Sequence, residues 1–371
     1  MYELTAYIKP TNYCNVDCDH CYLPIEVRQQ KLAMDDAMLK RTFQFILETA
    51  RKLNPEFIHL IWHGGEPMML PPEYYENALS IADDVFGDGK YMTSMQTSLM
   101  PYSAKWNDVI SNRFGNFLGT SIDFSARSLK GSSDDYVSVW LNRVNKARGS
   151  DIEVVPGMVP SKNECKNGAK IVDWFIEQNF IRFNFERYTV FNRTPEINYP
   201  SNREHSKFMI DVFTRILEQH QQGNLIQAQP ITAGIYGVLY NKSGDRWGTS
   251  CQNDFIIVEP DGSLNTCPDR ANVEEPFGNV SGSAIEFITS PKRREWLRNA
   301  NINHKKNHCH TCEYRTWCKS GCPITPNGID EGESECSGFK LFLNHIKEFV
   351  ETPENKAKLM AYLEDAHNAR H

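Results

Sequence analysis

The sequence predicts an α/β protein built on parallel strands. From the N-terminus to Arg187, short apolar strand-like runs alternate with amphipathic helical stretches at short spacing. The segments richest in reactive side chains each follow the C-terminal end of a strand, where barrels and open α/β sheets both place their sites.

The elements follow in order. Leu4, Ala6 and Ile8 alternate with polar neighbours, which marks a half-buried strand over 4–9 and not a signal peptide. A loop, TNYCNVDCDHCYLP, comes next. A helix over 36–52 carries Leu39, Phe43, Ile46, Leu47 and Ala50 on one face. FIHLIW (57–62) reads as a fully buried strand and runs directly into HGGEP. Helix 72–86, strand 91–97, helix 103–112, strand 116–122, helix 133–148, strand 151–159, helix 167–179 and strand 181–187 complete the alternation. Right-handed crossovers leave two architectures, a doubly wound sheet and a partial barrel. A helix over 202–222 ends this region, and 231–241 reads as a short connecting helix. IIVEPDGSLNTC (256–267) is a hairpin with a Pro-Asp-Gly turn. Ser290-Pro291 starts a short basic helix, Ser as cap and Pro in the first turn. From 303 to 337 the chain is cysteine-rich with little apolar content, so metal is expected to supply folding energy there. Helices close the chain, the last starting at Thr352-Pro353.

With 371 residues, 40% of them hydrophobic, the chain can bury one large core or two moderate ones. A net charge of −7 and a pI near 5.9 advertise no nucleic-acid or membrane-surface partner. Mean hydropathy is −0.52, and no run approaches the roughly 20 apolar residues of a membrane span. Without an export signal the expected compartment is the reducing cytoplasm, where eleven cysteines mean metal more readily than disulfides.

Ten of those cysteines form two groups. Cys14, Cys18 and Cys21 make C-x3-C-x2-C. Three thiolates leave one iron of a four-iron cluster open. A small ligand with an amine and a carboxylate can chelate that iron, and S-adenosylmethionine is such a ligand. The other reading is a zinc site with His20 as fourth ligand. Downstream lie Cys251, Cys267, Cys309, Cys312, Cys318, Cys322 and Cys336, of which C-x2-C-x5-C-x3-C alone would also suit a zinc ribbon. Cys165 fits neither group and reads as a buried, inert thiol.

On these motifs the chain resembles the radical SAM superfamily. C-x3-C-x-Φ-C is that family's signature, with His20 here at Φ, the position that packs on adenine. The resemblance implies that Gly64, Gly65 and Glu66, with Pro67 behind them, hold the methionine amine. Gln96-Thr97-Ser98 departs from the family's Gln-Thr-Asn. Ser121 sits where the family has a serine near the ribose, and Arg127 matches its arginine. The resemblance decides for a partial (β/α)6 barrel over 1–230.

The seven later cysteines, with Gly262 at the hairpin turn, are similar to the SPASM domain, expected over 231–345 and followed by a C-terminal helix over 346–371. That likeness implies two auxiliary four-iron clusters, hence three [4Fe-4S] clusters in all. One takes Cys309, Cys312, Cys318 and Cys336. The other takes Cys251, Cys267 and Cys322, its fourth ligand unassigned.

Radical SAM enzymes with this extension mostly modify peptides, so a short precursor peptide and an electron donor of flavodoxin or ferredoxin type are the expected partners. CYLP closing the first motif, a start without a leader-binding domain and the overall length look most like Xye-type and darobactin-like maturases. Those make three-residue cyclophanes by joining an aromatic carbon to a β-carbon. The alternatives are an anaerobic sulfatase-maturing enzyme, another peptide maturase such as a thioether-forming one, and a non-catalytic iron–sulfur or zinc protein. Against the sulfatase reading, Pro268 follows Cys267 where an aspartate is expected, and Asp269 comes one later. Asp269 is still a candidate catalytic base. Asp123, Glu186 and Arg187 are further charged candidates, and period two places Asn184 on the face of Glu186.

Overall fold

The computed structural model describes residues 3–87, 89–188, 198–248, 254–268, 275–305, 308–322, 324–325, 328–329, 332 and 334–369, with the backbone alone over 299–305. Its first stretch comprises β1 (Glu3–Ile8), β2 (Asp17–Cys18), α1 (Ile25–Arg28), α2 (Asp36–Leu53), β3 (Phe57–Trp62), α3 (Pro72–Phe86), β4 (Tyr91–Thr97), α4 (Asn107–Arg113), β5 (Phe117–Ser121), β6 (Arg127–Ser128) and α5 (Ser133–Arg148). Then come β7 (Glu153–Met158), α6 (Gly168–Glu177), β8 (Arg182–Phe185), α7 (Asn202–Gln221), β9 (Gln227–Ala228) and α8 (Gln229–Tyr240). Last are β10 (Phe255–Val258), β11 (Ser263–Asn265), β12 (Gly278–Asn279), α9 (Ala284–Thr289), α10 (Pro291–Lys305), α11 (Arg315–Cys318), α12 (Lys340–Phe349) and α13 (Pro353–Asn368).

The chain forms two units. The first holds residues 1–155, 191–193 and 250–298, and the second holds 156–190, 194–249 and 299–371. Strand β7 passes from the first to the second after Val155.

In the first unit the strand order is β12–β11–β10–β1–β3–β4–β5 and then the first half of β7. From β1 to β7 that order follows the chain, and β1–β3, β3–β4 and β4–β5 are parallel. A doubly wound sheet reverses its order at a switch point; a barrel wall does not. The winding is therefore that of a barrel. The hairpin forms as the sequence reads, β10 pairing antiparallel with β11; the sequence reading did not include that β10 also pairs in parallel with β1, from Thr5↔Phe255 to Ile8↔Val258. Strand β1 has Leu4, Ala6 and Ile8 on one face and Thr5 on the other, all buried, so both its edges need a partner strand.

FIHLIW is another departure. Ile58, Leu60 and Trp62 are buried, whereas Phe57, His59 and Ile61 are half-buried. His59 holds Glu3 at 3.0 Å and Ser94 at 2.9 Å, so that face is partly polar. Helix α2 starts at an Asp35 cap that accepts from Met38 N at 2.8 Å. It buries Leu39, Phe43, Phe45, Ile46 and Ala50, with the Phe43 ring edge-on to Trp62. Burying each of the leucine, isoleucine and phenylalanine side chains stabilises by about 1.5–3 kcal/mol. Phe45 meets Phe287 of α9, which is why it is buried while Leu47 is half-buried.

In the second unit the second half of β7 pairs in parallel with β8, and β8 with β9. Ser201 and Glu204 form a capping box at the start of α7. Helix α8 presents two glycines to aromatic side chains. A Cβ at Gly234 would fall 2.6 Å from Phe342, and one at Gly237 would fall 2.4 Å from Trp317. Among the described residues no helix is long and apolar enough to cross a membrane.

Candidate active site

The parallel register of β1, β3, β4 and β5 brings the loops after these strands together at one edge of the first unit. Beyond the strand ends the ladder continues into the loops. His63 N donates to Ile8 O, Gly65 N to Thr11 O and Glu66 N to Tyr13 O, at 3.0, 3.0 and 2.9 Å. HGGEP is thereby zipped to the stretch that leads into Cys14. Gly64 has φ +125°, and a Cβ there would lie 2.4 Å from Thr11 O; at Gly65 it would lie 2.3 Å from Asn12 O. The family resemblance gave these glycines to holding the methionine amine. The structure adds a requirement of its own, the approach of the cysteine-loop backbone.

Glu66 is buried. Its Oε1 accepts from Met68 N at 2.9 Å and Thr97 Oγ1 at 2.6 Å. Its Oε2 accepts from Ser98 N at 2.7 Å and also from Ser98 Oγ. These donors fill the acceptor capacity of a carboxylate and tie the end of β3 to the end of β4. Ser98, the departure from the family pattern, thus holds Glu66 through both backbone and hydroxyl. Pro67 opens a 3-10 turn, Pro67–Met69, and its carbonyl accepts from Tyr75 OH at 2.8 Å.

Strands β2 and β6 pair antiparallel with Cys18 opposite Arg127. Arg127 Nη1 donates to Cys18 Sγ at 3.3 Å, and its Nε donates to Asp123 Oδ2. His20 Nε2 lies 3.6 Å from the same Asp123 oxygen. Burial pushes the His20 imidazole down to about 4, so the ring is neutral near pH 7. Ser121 Oγ accepts from Gln96 Nε2 at 3.0 Å. Cys14, Cys18, Cys21, His20, Gly64, Gly65, Glu66, Ser121 and Arg127 all line one cavity that opens to solvent.

This donor set suits a four-iron cluster: three thiols from one loop, with a cavity beside them for a ligand of the fourth iron. Burial pushes Cys14 up to about 11 and Cys18 up to about 12. Iron must displace their protons, and assembly releases them. Among the described residues no three His, Cys, Asp or Glu side chains gather at a single-ion site.

Sequence reasoning missed a buried pair beneath this loop. Lys9 Nζ bonds Glu259 Oε1 at 2.8 Å and lies 4.4 Å from the centre of the Tyr22 ring. Asn12 Nδ2 donates to Glu259 Oε2 at 3.3 Å, and Tyr22 OH donates to Gly64 O at 3.2 Å. The only sequence signal was a charged residue directly after each of two apolar strands, Lys9 after β1 and Glu259 after β10.

In the second unit Cys312, Cys318 and Cys336 come close enough to influence one another. Burial, then neighbouring thiols, pushes Cys318 up to about 12. Burial, then Glu335, does the same to Cys336, with Cys312 adding to it. A Cβ on Gly338 would lie 2.7 Å from Cys318 Sγ and 3.7 Å from Cys336 Sγ. Cys309 accepts at its carbonyl from Cys312 N at 3.2 Å. Cys322 is half-buried, and Cys267 follows β11 in the first unit. Cys251 and Asp269 lie outside the described residues. Asn184 and Glu186 are exposed, and the Glu186 carboxylate stands 3.5 Å from Arg246. Arg187 is buried on Asn202 and the carbonyls of Tyr188 and Pro200. Cys165 is buried beside Pro160 O, and burial pushes its thiol far up.

The chain is 20% identical over 342 residues to the serine-type anaerobic sulfatase-maturating enzyme of Klebsiella aerogenes, covering 90% of this chain and 82% of that one. Its fold is similar to native anSMEcpe with bound AdoMet, with TM-score 0.78, 20% identity and coverage of 99% and 100% of the two chains. It is also similar to Streptococcus suis SuiB bound to the precursor peptide SuiA, with TM-score 0.60, 14% identity and coverage of 87% and 72%. Residues 8–166 match the Radical SAM superfamily, a span that contains the cysteine loop, HGGEP, Ser121 and Arg127. The cavity beside Cys14, Cys18 and Cys21 lies within the span that matches the Radical SAM superfamily.

Proposed function

We propose that this radical SAM enzyme oxidatively modifies a side chain of a ribosomally made peptide, closing a carbon–carbon crosslink between an aromatic ring and a nearby β-carbon. The observation that carries the proposal is the single cavity shared by the three-cysteine loop and HGGEP, in a chain with seven further ordered cysteines. A peptide substrate is supported by the similar structures, since SuiB is bound to a precursor peptide and anSMEcpe to the Cp18Cys peptide.

Bound there, the cluster and S-adenosylmethionine supply a 5′-deoxyadenosyl radical, and the auxiliary clusters supply an acceptor for the electron that the substrate radical sheds. Cys14, Cys18 and Cys21 hold the first cluster. Gly64, Gly65, His20, Ser121 and Arg127 form the cofactor's walls. Glu66, held by the residues around it, keeps the HGGEP loop in shape. Asp269, two residues after Cys267, takes the departing proton. The substrate loses two hydrogens, one as an atom and one as a proton with its electron. A cytoplasmic flavodoxin or ferredoxin delivers the starting electron.

Oxidation of a sulfatase serine to formylglycine is the second reading, favoured by the similarity to the Klebsiella enzyme over 90% of this chain. Pro268 directly after Cys267 speaks against it. Both products are two hydrogens lighter, so mass alone does not separate them. The test is anaerobic reconstitution to about twelve irons per chain, followed by tandem mass spectrometry of co-expressed neighbouring peptides. Fragmentation suppressed across three residues starting at an aromatic supports the crosslink. A product that reacts with a hydrazide instead supports the aldehyde. Absence of 5′-deoxyadenosine overturns both.

A further inference from the structure

The Cys18 sulfur has a charged donor. We infer that Arg127 is a positioning residue for electron entry: clamped by Asp123, its guanidinium donates to Cys18 Sγ and makes the cluster at Cys14, Cys18 and Cys21 easier to reduce. This rests on the proposed ligation of a four-iron cluster by those three thiolates.

The local strand pairing sets the arrangement. Cys18 and Arg127 are partners in the short β2–β6 ladder, which Asp19 N extends by donating to Ala126 O at 2.9 Å. The pairing fixes the distance between guanidinium and sulfur at the backbone level. The fork is then divided, with Nε on Asp123 Oδ2 and Nη1 on Cys18 Sγ at 3.3 Å. Asp123 is 1% exposed and Arg127 15%, so water screens the contact little. A lysine can supply the charge but not the divided planar fork. Cys14 Sγ differs: it accepts from the neutral backbone N–H of Val16 at 3.5 Å.

Reduction adds one electron, and one negative charge, to a cluster whose sulfur already accepts from a cation. Hydrogen bonds to the sulfurs and nearby charge are among the factors that set cluster potentials. The added charge is stabilised, and the potential rises. Asp123 offsets part of the guanidinium charge while holding its aim. The electron comes from the external low-potential donor.

The test is an EPR-monitored redox titration of the full reconstituted chain without S-adenosylmethionine, so that changes in cofactor binding cannot produce the result. The relevant signal is the one absent from Cys14→Ala; if Cys14→Ala removes no signal, the site assignment itself fails. In Arg127→Gln with full iron content, the expected result is a reduction equilibrium about tenfold less favourable, a lowering of about 59 mV for a one-electron couple. Arg127→Lys should shift the same way by less. Unchanged potentials in both variants at full iron overturn the inference. So does failure of both variants to hold this cluster, which would give Arg127 to loop folding.

Discussion

The two cysteine regions of this chain are held by different means. The loop carrying Cys14, Cys18 and Cys21 is held by contacts of the protein itself: backbone bonds join it to HGGEP, a strand pair joins it to Arg127, and the Lys9–Glu259 pair lies beneath it. Between Cys309 and Cys336 the described residues contain one regular element, the four-residue α11. That segment is anchored by Trp317 in the Gly237 notch, by Tyr314 OH on Asn344 and by Ser337 Oγ on Ser320 O. A site with an open iron beside an exchangeable ligand needs a protein-built wall. A closed thiolate site can let the metal serve as its core.

The largest expected contrast follows from removing ligands. Cys14→Ala should abolish 5′-deoxyadenosine formation while far-ultraviolet circular dichroism keeps its native shape. Cys312→Ala should retain 5′-deoxyadenosine but lose product and admit protease within 309–336. Full crosslinking by Cys312→Ala would remove the electron-acceptor role. Chelation of all iron should likewise open 309–336 to proteolysis before it opens the first unit.

The anchors come next. Trp317→Ala empties the Gly237 notch and should cost about 3–5 kcal/mol in denaturant unfolding. Lys9→Met leaves Glu259 buried without its cation and should cost a similar 3–5 kcal/mol. The double variant Lys9→Met/Glu259→Leu should recover most of that loss; no recovery would mean that the pair acts through packing. Glu66→Gln puts an amide among donors and should cost about 1–3 kcal/mol.

A last effect concerns pH. Burial pushes His63 down to about 3, and its Nδ1 has no hydrogen-bond partner among the described residues. Between its unfolded value, about 6.5, and that folded value, the unfolded chain binds a proton that the folded chain does not. Stability is therefore full near pH 7 and falls as pH drops through that window. His63→Gln should flatten the pH dependence of the melting temperature of the iron-free protein, and an unchanged slope would assign it elsewhere.

Much of the fold was legible because its signals are local. The apolar period of α2, the Pro-Asp-Gly turn and the Ser-Pro helix start each lie within a few residues of what they specify. The cysteine loop and HGGEP were legible as motifs, since ligand spacing is a property of one short segment. The role of Glu66 within the fold was not. Two of its donors come from Ser98, directly after the neighbouring strand β4, and only the β3–β4 register brings them there. The polar face of FIHLIW was hidden too, because an isoleucine-rich run does not reveal that Glu3 and Ser94 will meet His59.

By itself the sequence determined the α/β alternation, the three-thiol donor set and the glycines after β3, because each depends on residue type at short separation. The tertiary structure alone decided that β10 joins β1, that Lys9 meets Glu259, and that a guanidinium rests on Cys18. Those contacts join residues 250, 250 and 109 positions apart. Their partners are chosen by which strand ends the parallel winding sets side by side, and no local preference of the chain encodes that choice.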